Sequence, residues 1–217
     1  MKQLMNNNIL KSLALLALLS PACGGDDPVD GGGGNEEEVI TTVVLTFTPN
    51  GGGETVVAEF NDADGDGGDA PVVDAIELPG GVEYTLSVGF ENRLETPAED
   101  ITEEIEDESD EHQVFFTGDI VNSPASDPAE SVVGQAYLDA DANGLPIGLE
   151  NTFDTSPSGG TGTLTVTLRH LPPVNGVAVK VDSLAQTVLD SGFGALAGDT
   201  DVQVDFPVTI GVAAGDL

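Results

Sequence analysis

The sequence predicts a mainly β protein, an antiparallel β-sandwich of immunoglobulin-like or transthyretin-like shape that carries one acidic helix. Three observations point there. Short runs rich in β-branched residues alternate apolar and polar at period two, as in Val82, Tyr84, Leu86, Val88 and Phe90. Clusters of Gly, Pro, Asn and Asp separate those runs at short intervals. Only one long stretch, 96–116, carries a helical pattern, so strand–helix alternation is missing.

In chain order, a first strand over 39–48 ends at the turn Pro49-Asn50-Gly51-Gly52-Gly53, and 54–61 answers it as a hairpin. A second pair, 72–78 and 82–91, is expected around Pro79-Gly80-Gly81. Further strands are expected over 113–117, 132–139, 146–154, 162–171 and 201–210. In the fourth of these, Leu164, Val166 and Leu168 point inward. A short helix over 182–189 has Ser183 near its cap.

The acidic helix is expected over 97–111. Thr96 caps it, Pro97 takes the first helical position and Glu99 completes a capping box. Ala98, Ile101 and Ile105 share one face, and continuing that stripe brings in Glu108 and His112. The remainder is carboxylate. Like-charged pairs stand four apart at 99/103, 100/104, 103/107, 104/108, 106/110 and 107/111. At ~0.2–0.5 kcal/mol each they oppose the helix, which must lean on a sheet, on salt or on bound cations.

Ahead of this body, Lys2 and Lys11 precede the apolar run 13–19 and then Ser20-Pro21-Ala22-Cys23. That is the layout of a secretory signal over 1–22, and the run is too short to span a bilayer. Cys23 is the sole cysteine, which excludes an intrachain disulfide. Its placement resembles the lipobox of bacterial lipoproteins, which implies lipidation of Cys23 and a membrane partner reached through that lipid. Residues 23–38 read as a flexible Gly-rich, acidic tether, and 39–212 as the sandwich domain. Gly24 directly after the cysteine favours the outer membrane, by analogy with lipoprotein sorting. Asp26 and Asp27 resemble surface-export signals, so periplasmic-facing and cell-surface display both stand open.

Without the signal, Arg93, Arg169 and Lys180 face all 39 acids, a formal charge of −36. Nucleic acid is excluded, since it requires a basic footprint. Anionic lipid would repel the body, so attachment falls to covalent lipid. Solubility in a salty medium explains the acidity without catalysis. Arg169 is expected to pair with the helix carboxylates.

Two loops have calcium-like spacing. Asp62, Asp64, Asp66 and Asp69 place carboxylates at alternate positions before a glycine turn, without a bidentate Glu at the twelfth position. Asp139, Asp141 and Asn143 followed by Gly144 and Glu150 fit the full EF-hand pattern, yet strands flank them and Asn143-Gly144 is a preferred hairpin turn. Calcium binding and plain acidic turns are both open for each. His112 and His170, the two histidines, could join Glu108 as transition-metal ligands if the helix packs near the end of the 162–171 strand. The plainer reading is two structural histidines.

Nothing points to an enzyme: a Gly-x-Ser-x-Gly elbow, a phosphate loop, HExxH and a free catalytic cysteine are all lacking. Carboxylates are too abundant for any pair to be informative. The sequence therefore leads to a lipid-anchored, non-enzymatic binding or structural module, with calcium as a candidate stabilising ion and a protein or small-molecule ligand left undefined.

The segments ITTVVLTFTP, DGDGGDAP, ETPAEDITEEIEDESDEHQVFF and TLTVTLRH with DTDVQVDFPVTI resemble a group of small bacterial lipoproteins labelled "type 1 periplasmic binding fold superfamily protein". The resemblance covers nearly the whole chain after the signal. Its label implies two α/β lobes around a ligand cleft, and with them the alternative function of a periplasmic or surface solute-binding receptor.

Overall fold

The fold is a computed structural model that describes residues 38–65 and 67–213. The expected signal, Cys23, most of the tether and Asp66 lie outside the described residues. Among those described, no helix is long and apolar enough to cross a membrane.

Two sheets form the body. The larger has the order β3 (Val72–Val73), β2 (Val56–Asn61), β1 (Thr42–Pro49), β5 (Glu83–Asn92), β10 (Glu150–Thr155), β9 (Val133–Tyr137) and β8 (Val121–Asn122). A two-residue strand β6 (Glu99–Asp100) is added on β5. The smaller sheet runs β4 (Ile76–Leu78), β12 (Asp199–Ile210), β11 (Gly160–His170) and β7 (His112–Thr117). All pairings are antiparallel except β4 with β12 and β8 with β9.

The period-two pattern sets which face each strand turns inward. Val43, Leu45 and Phe47 on β1 register against Phe90, Val88 and Leu86 on β5, and all six are buried. On the opposite sheet Leu164, Val166 and Leu168 lie beside Val204 and Phe206 of β12 and Val114 and Phe116 of β7. These side chains from both sheets merge into one core. Phe47 contributes edge-on ring contacts to Tyr84 and Phe153, with centroids 6.2 and 5.0 Å away. The outer face of the smaller sheet is not bare. Phe115 and Leu171 pack there against Leu184 and Val188 of helix α2 (Leu184–Ser191), which Ser183 precedes as expected.

Three elements differ from expectation. The run 72–78 is not one strand: Val73 pairs with Phe60 in one sheet and Ile76 with Val208 in the other. Asp74 marks the corner, its amide donating to the Glu59 carbonyl and its carboxylate accepting from the Glu59 amide. The inward parity shifts there, from Val73 before the corner to Ile76 and Leu78 after it, a break that reading 72–78 as one strand passes over. The hairpin expected at Pro79 is consequently absent, because β5 pairs with β1 and β10 instead.

The acidic helix α1 is Ile101–Asp107 rather than 97–111. Asp100, not Thr96, is its N-cap, accepting from the Thr102 amide at 3.1 Å. Glu99 is still in β6, and the chain leaves helical form after Asp107. Ending there removes the 106/110 and 107/111 repulsions from the helix. Ile101 and Ile105 are buried in the main core as the stripe required. Thr102 fixes the docking, its hydroxyl accepting from the Phe90 amide at 2.9 Å.

Candidate functional site

Strands β7 and β11 place the two histidines directly opposite each other, His112 against His170. Both follow the inward parity of Val114 and Leu168, so they lie on the core-facing side at one end of the sandwich. Their rings stack with centroids 4.5 Å apart and planes 17° from parallel. The turn that leads into β12 closes behind them. Gly198 has φ +76°, and a Cβ there would collide with the His170 carbonyl, so the turn needs glycine.

Carboxylates converge on the pair from three elements. Glu38, four residues before β1, brings Oε1 within 3.1 Å of His112 Nε2 and Oε2 within 3.9 Å of His170 Nδ1. Glu111, just before β7, stands 3.7 Å from His170 Nε2. Asp201 comes from a bulge in β12. The ladder steps from Leu168 opposite Val202 to Arg169 opposite Thr200, leaving Asp201 without a partner residue.

The environment is dry. The side chain of His112 is fully buried, and those of His170 and Glu38 are 5% and 8% exposed. A carbonyl can only accept, so the 3.2 Å contact between His112 Nδ1 and the Glu108 carbonyl makes Nδ1 the donor and leaves Nε2 toward Glu38. His112 Nε2, His170 Nδ1, Glu38 Oε2 and both Asp201 carboxylate oxygens are buried without a hydrogen-bond partner among the described residues. Glu38 Oε1 thus faces His112 Nε2 at contact distance without hydrogen-bond alignment.

Electrostatics follow from that packing. Burial pushes the Asp201 carboxyl up and the Glu38 charge adds to it, to about 7. Burial would also raise Glu38, but the imidazole of His112 outweighs it and holds Glu38 below the usual carboxylate range. For His112 burial works downward, and the Glu38 carboxylate more than offsets it.

The calcium-spaced residues fare differently. The Asp139 carboxylate accepts from the amides of Gly148, Leu149 and Glu150 at 2.7–2.9 Å. Asp141 Oδ1 accepts from the amides of Asn143 and Leu145, and Oδ2 faces Lys180 Nζ at 3.1 Å. These two carboxylates hold a loop together, with a lysine ammonium as the cation beside it. The Glu150 carboxylate turns to the Ser87 hydroxyl at 3.3 Å. In the other loop, Asp64 Oδ2 accepts from the Asp69 amide, while Asp62 Oδ1 is buried without a hydrogen-bond partner among the described residues.

Arg169 does not pair with the helix carboxylates. Its guanidinium donates to the Thr200 hydroxyl at 2.6 Å and to the carbonyls of Ala197 and Gly198. The bulge and the Gly198 turn supply those acceptors.

Sequence reasoning joined Glu108, His112 and His170, and the fold brings all three together, with Glu38 added. It missed Glu38, Glu111, Asp201 and Lys180. A scarcity of cations was the one available clue to Lys180. Glu38 and Asp201 sit among many other acids and had no distinguishing signal. No family model, curated protein or solved structure matches the chain.

Proposed function

We propose that the protein is a lipid-anchored module of the bacterial cell envelope that binds or supports a partner rather than catalysing a reaction. The observation carrying this reading is the combination of the Ser20–Cys23 lipobox resemblance and the acidic tether read over 23–38 with a body whose two sheets close around a main core. The lipoprotein group whose segments the chain resembles supports the same assignment. A receptor that closes two lobes on a solute would divide its apolar side chains between two cores. Here the main core joins both sheets across their whole interface.

Calcium, as a stabilising ion, is left to the loop holding Asp62, Asp64 and Asp69, because backbone amides and Lys180 already engage Asp139 and Asp141. An anchor on Cys23 places the body at the outer membrane, on its periplasmic or surface side. Metabolic palmitate labelling tests the anchor: label that disappears in Cys23→Ser is expected, and label unchanged by that substitution would reject it.

A further inference from the structure

We propose that His112, His170, Glu38 and Glu108 form a binding site for one divalent transition-metal ion of the zinc class. One donor atom from each of the four lies within 4.8 Å of the others. Around a tetrahedral zinc, donor atoms bonded at about 2.0–2.1 Å stand about 3.3 Å apart. Closure therefore needs side-chain shifts of about 1 Å, which the exposed Glu108 and the two-oxygen head of Glu38 can supply.

Independent observations favour a ligand over a plain structural pair. Buried polar atoms are normally hydrogen-bonded, yet His112 Nε2 and His170 Nδ1 are buried and unpartnered, both near Glu38. The Glu108 carbonyl on His112 Nδ1 is the outer contact that metal-ligating imidazoles typically make, and it frees Nε2 for the ion. The β12 bulge turns Asp201 toward the same place instead of into the ladder. Among the four ligands themselves, two carboxylates and two neutral imidazoles balance a dication. Imidazole nitrogens in the set select zinc, copper or nickel over calcium and magnesium. An ion here would fasten Glu38, where the tether enters the body, to the ends of β7 and β11.

The test is calorimetric titration of ZnCl2 into the full-length chain carrying Cys23→Ser, which removes the competing thiol, with CaCl2 as a parallel arm. One equivalent of zinc that calcium does not displace is expected. His170→Gln and Glu38→Gln should each weaken binding by about ten- to a hundred-fold. Circular dichroism checks each variant. Should His170→Gln fail to fold, Glu38→Gln decides, because residue 38 lies outside every strand. Absence of binding, equal affinity in Glu38→Gln, or several weak sites from which calcium displaces zinc would overturn the proposal; the last would assign the ion to the acidic surface.

Discussion

Lys180 Nζ stands 3.1 Å from Asp141 Oδ2, with both side chains sealed from solvent. The same ammonium donates to the Ser109 carbonyl at 2.6 Å, so one cation ties the 139–150 loop to the turn after α1. Removing one charge of a buried pair strands the other. Asp141→Asn, which can still accept the Asn143 and Leu145 amides, is therefore expected to cost about 3–5 kcal/mol in urea unfolding. The double variant Asp141→Asn/Lys180→Met should recover most of that loss.

Acid should reveal the same pair. Burial by itself raises the Asp141 carboxyl, but the Leu145 amide, Lys180 and the Asn143 amide outweigh it and hold it below its ordinary 3.8. A carboxyl depressed in the folded state stabilises fully above its unfolded value and loses that contribution as pH falls through the folded one. Stability measured from pH 5 downward should fall below about pH 4 in the wild type. In Asp141→Asn this part of the fall should be missing. Lys180 responds at the alkaline end: burial lowers its ammonium despite Asp141, so folding gains as it deprotonates.

On α1, Glu104 is raised by burial and by repulsion from Glu99, Glu38 and Glu108. Glu104→Gln removes its repulsion with Glu99, Glu38 and Glu108 and should stabilise the protein by about 0.5 kcal/mol. Added salt should raise the melting temperature of the wild type more than that of the variant. An equal salt response in both would place the repulsion elsewhere.

The single core between the sheets is tested by truncation. Phe47, fully buried against Tyr84 and Phe153, joins β1 to β5 and to β10 beyond it. Phe47→Ala is expected to cost about 3–5 kcal/mol, and Phe206→Ala on the facing sheet a similar amount. Thr48→Ala, on the exposed face of the same strand, should change chemical denaturation by less than about 0.5 kcal/mol.

Local periodicity carried the sandwich. Tyr84, Leu86, Val88 and Phe90, and again Leu164, Val166 and Leu168, are buried as their alternation required, because one face of each strand must meet the core. What stayed hidden was non-local. The corner at Asp74 passes the chain from one sheet to the other, and the inward parity shifts there from Val73 to Ile76. The helix is shorter than its capping signals implied, since a β6 pairing with β5 holds Glu99 and Asp100. The site was half legible: Glu108 and His112 share a stripe, and His170 ends a strand. Glu38 read as tether and Asp201 as ordinary strand, because a bulge and a chain-entry contact leave no local pattern.

The convergence of the Glu38 segment, the α1–β7 turn and the β11 end on one ion is tested most directly by zinc-edge X-ray absorption on the one-to-one complex. The expected first shell has two imidazole nitrogens and carboxylate oxygens at about 2.0–2.2 Å. A shell of oxygens alone, with no imidazole scattering, would contradict it.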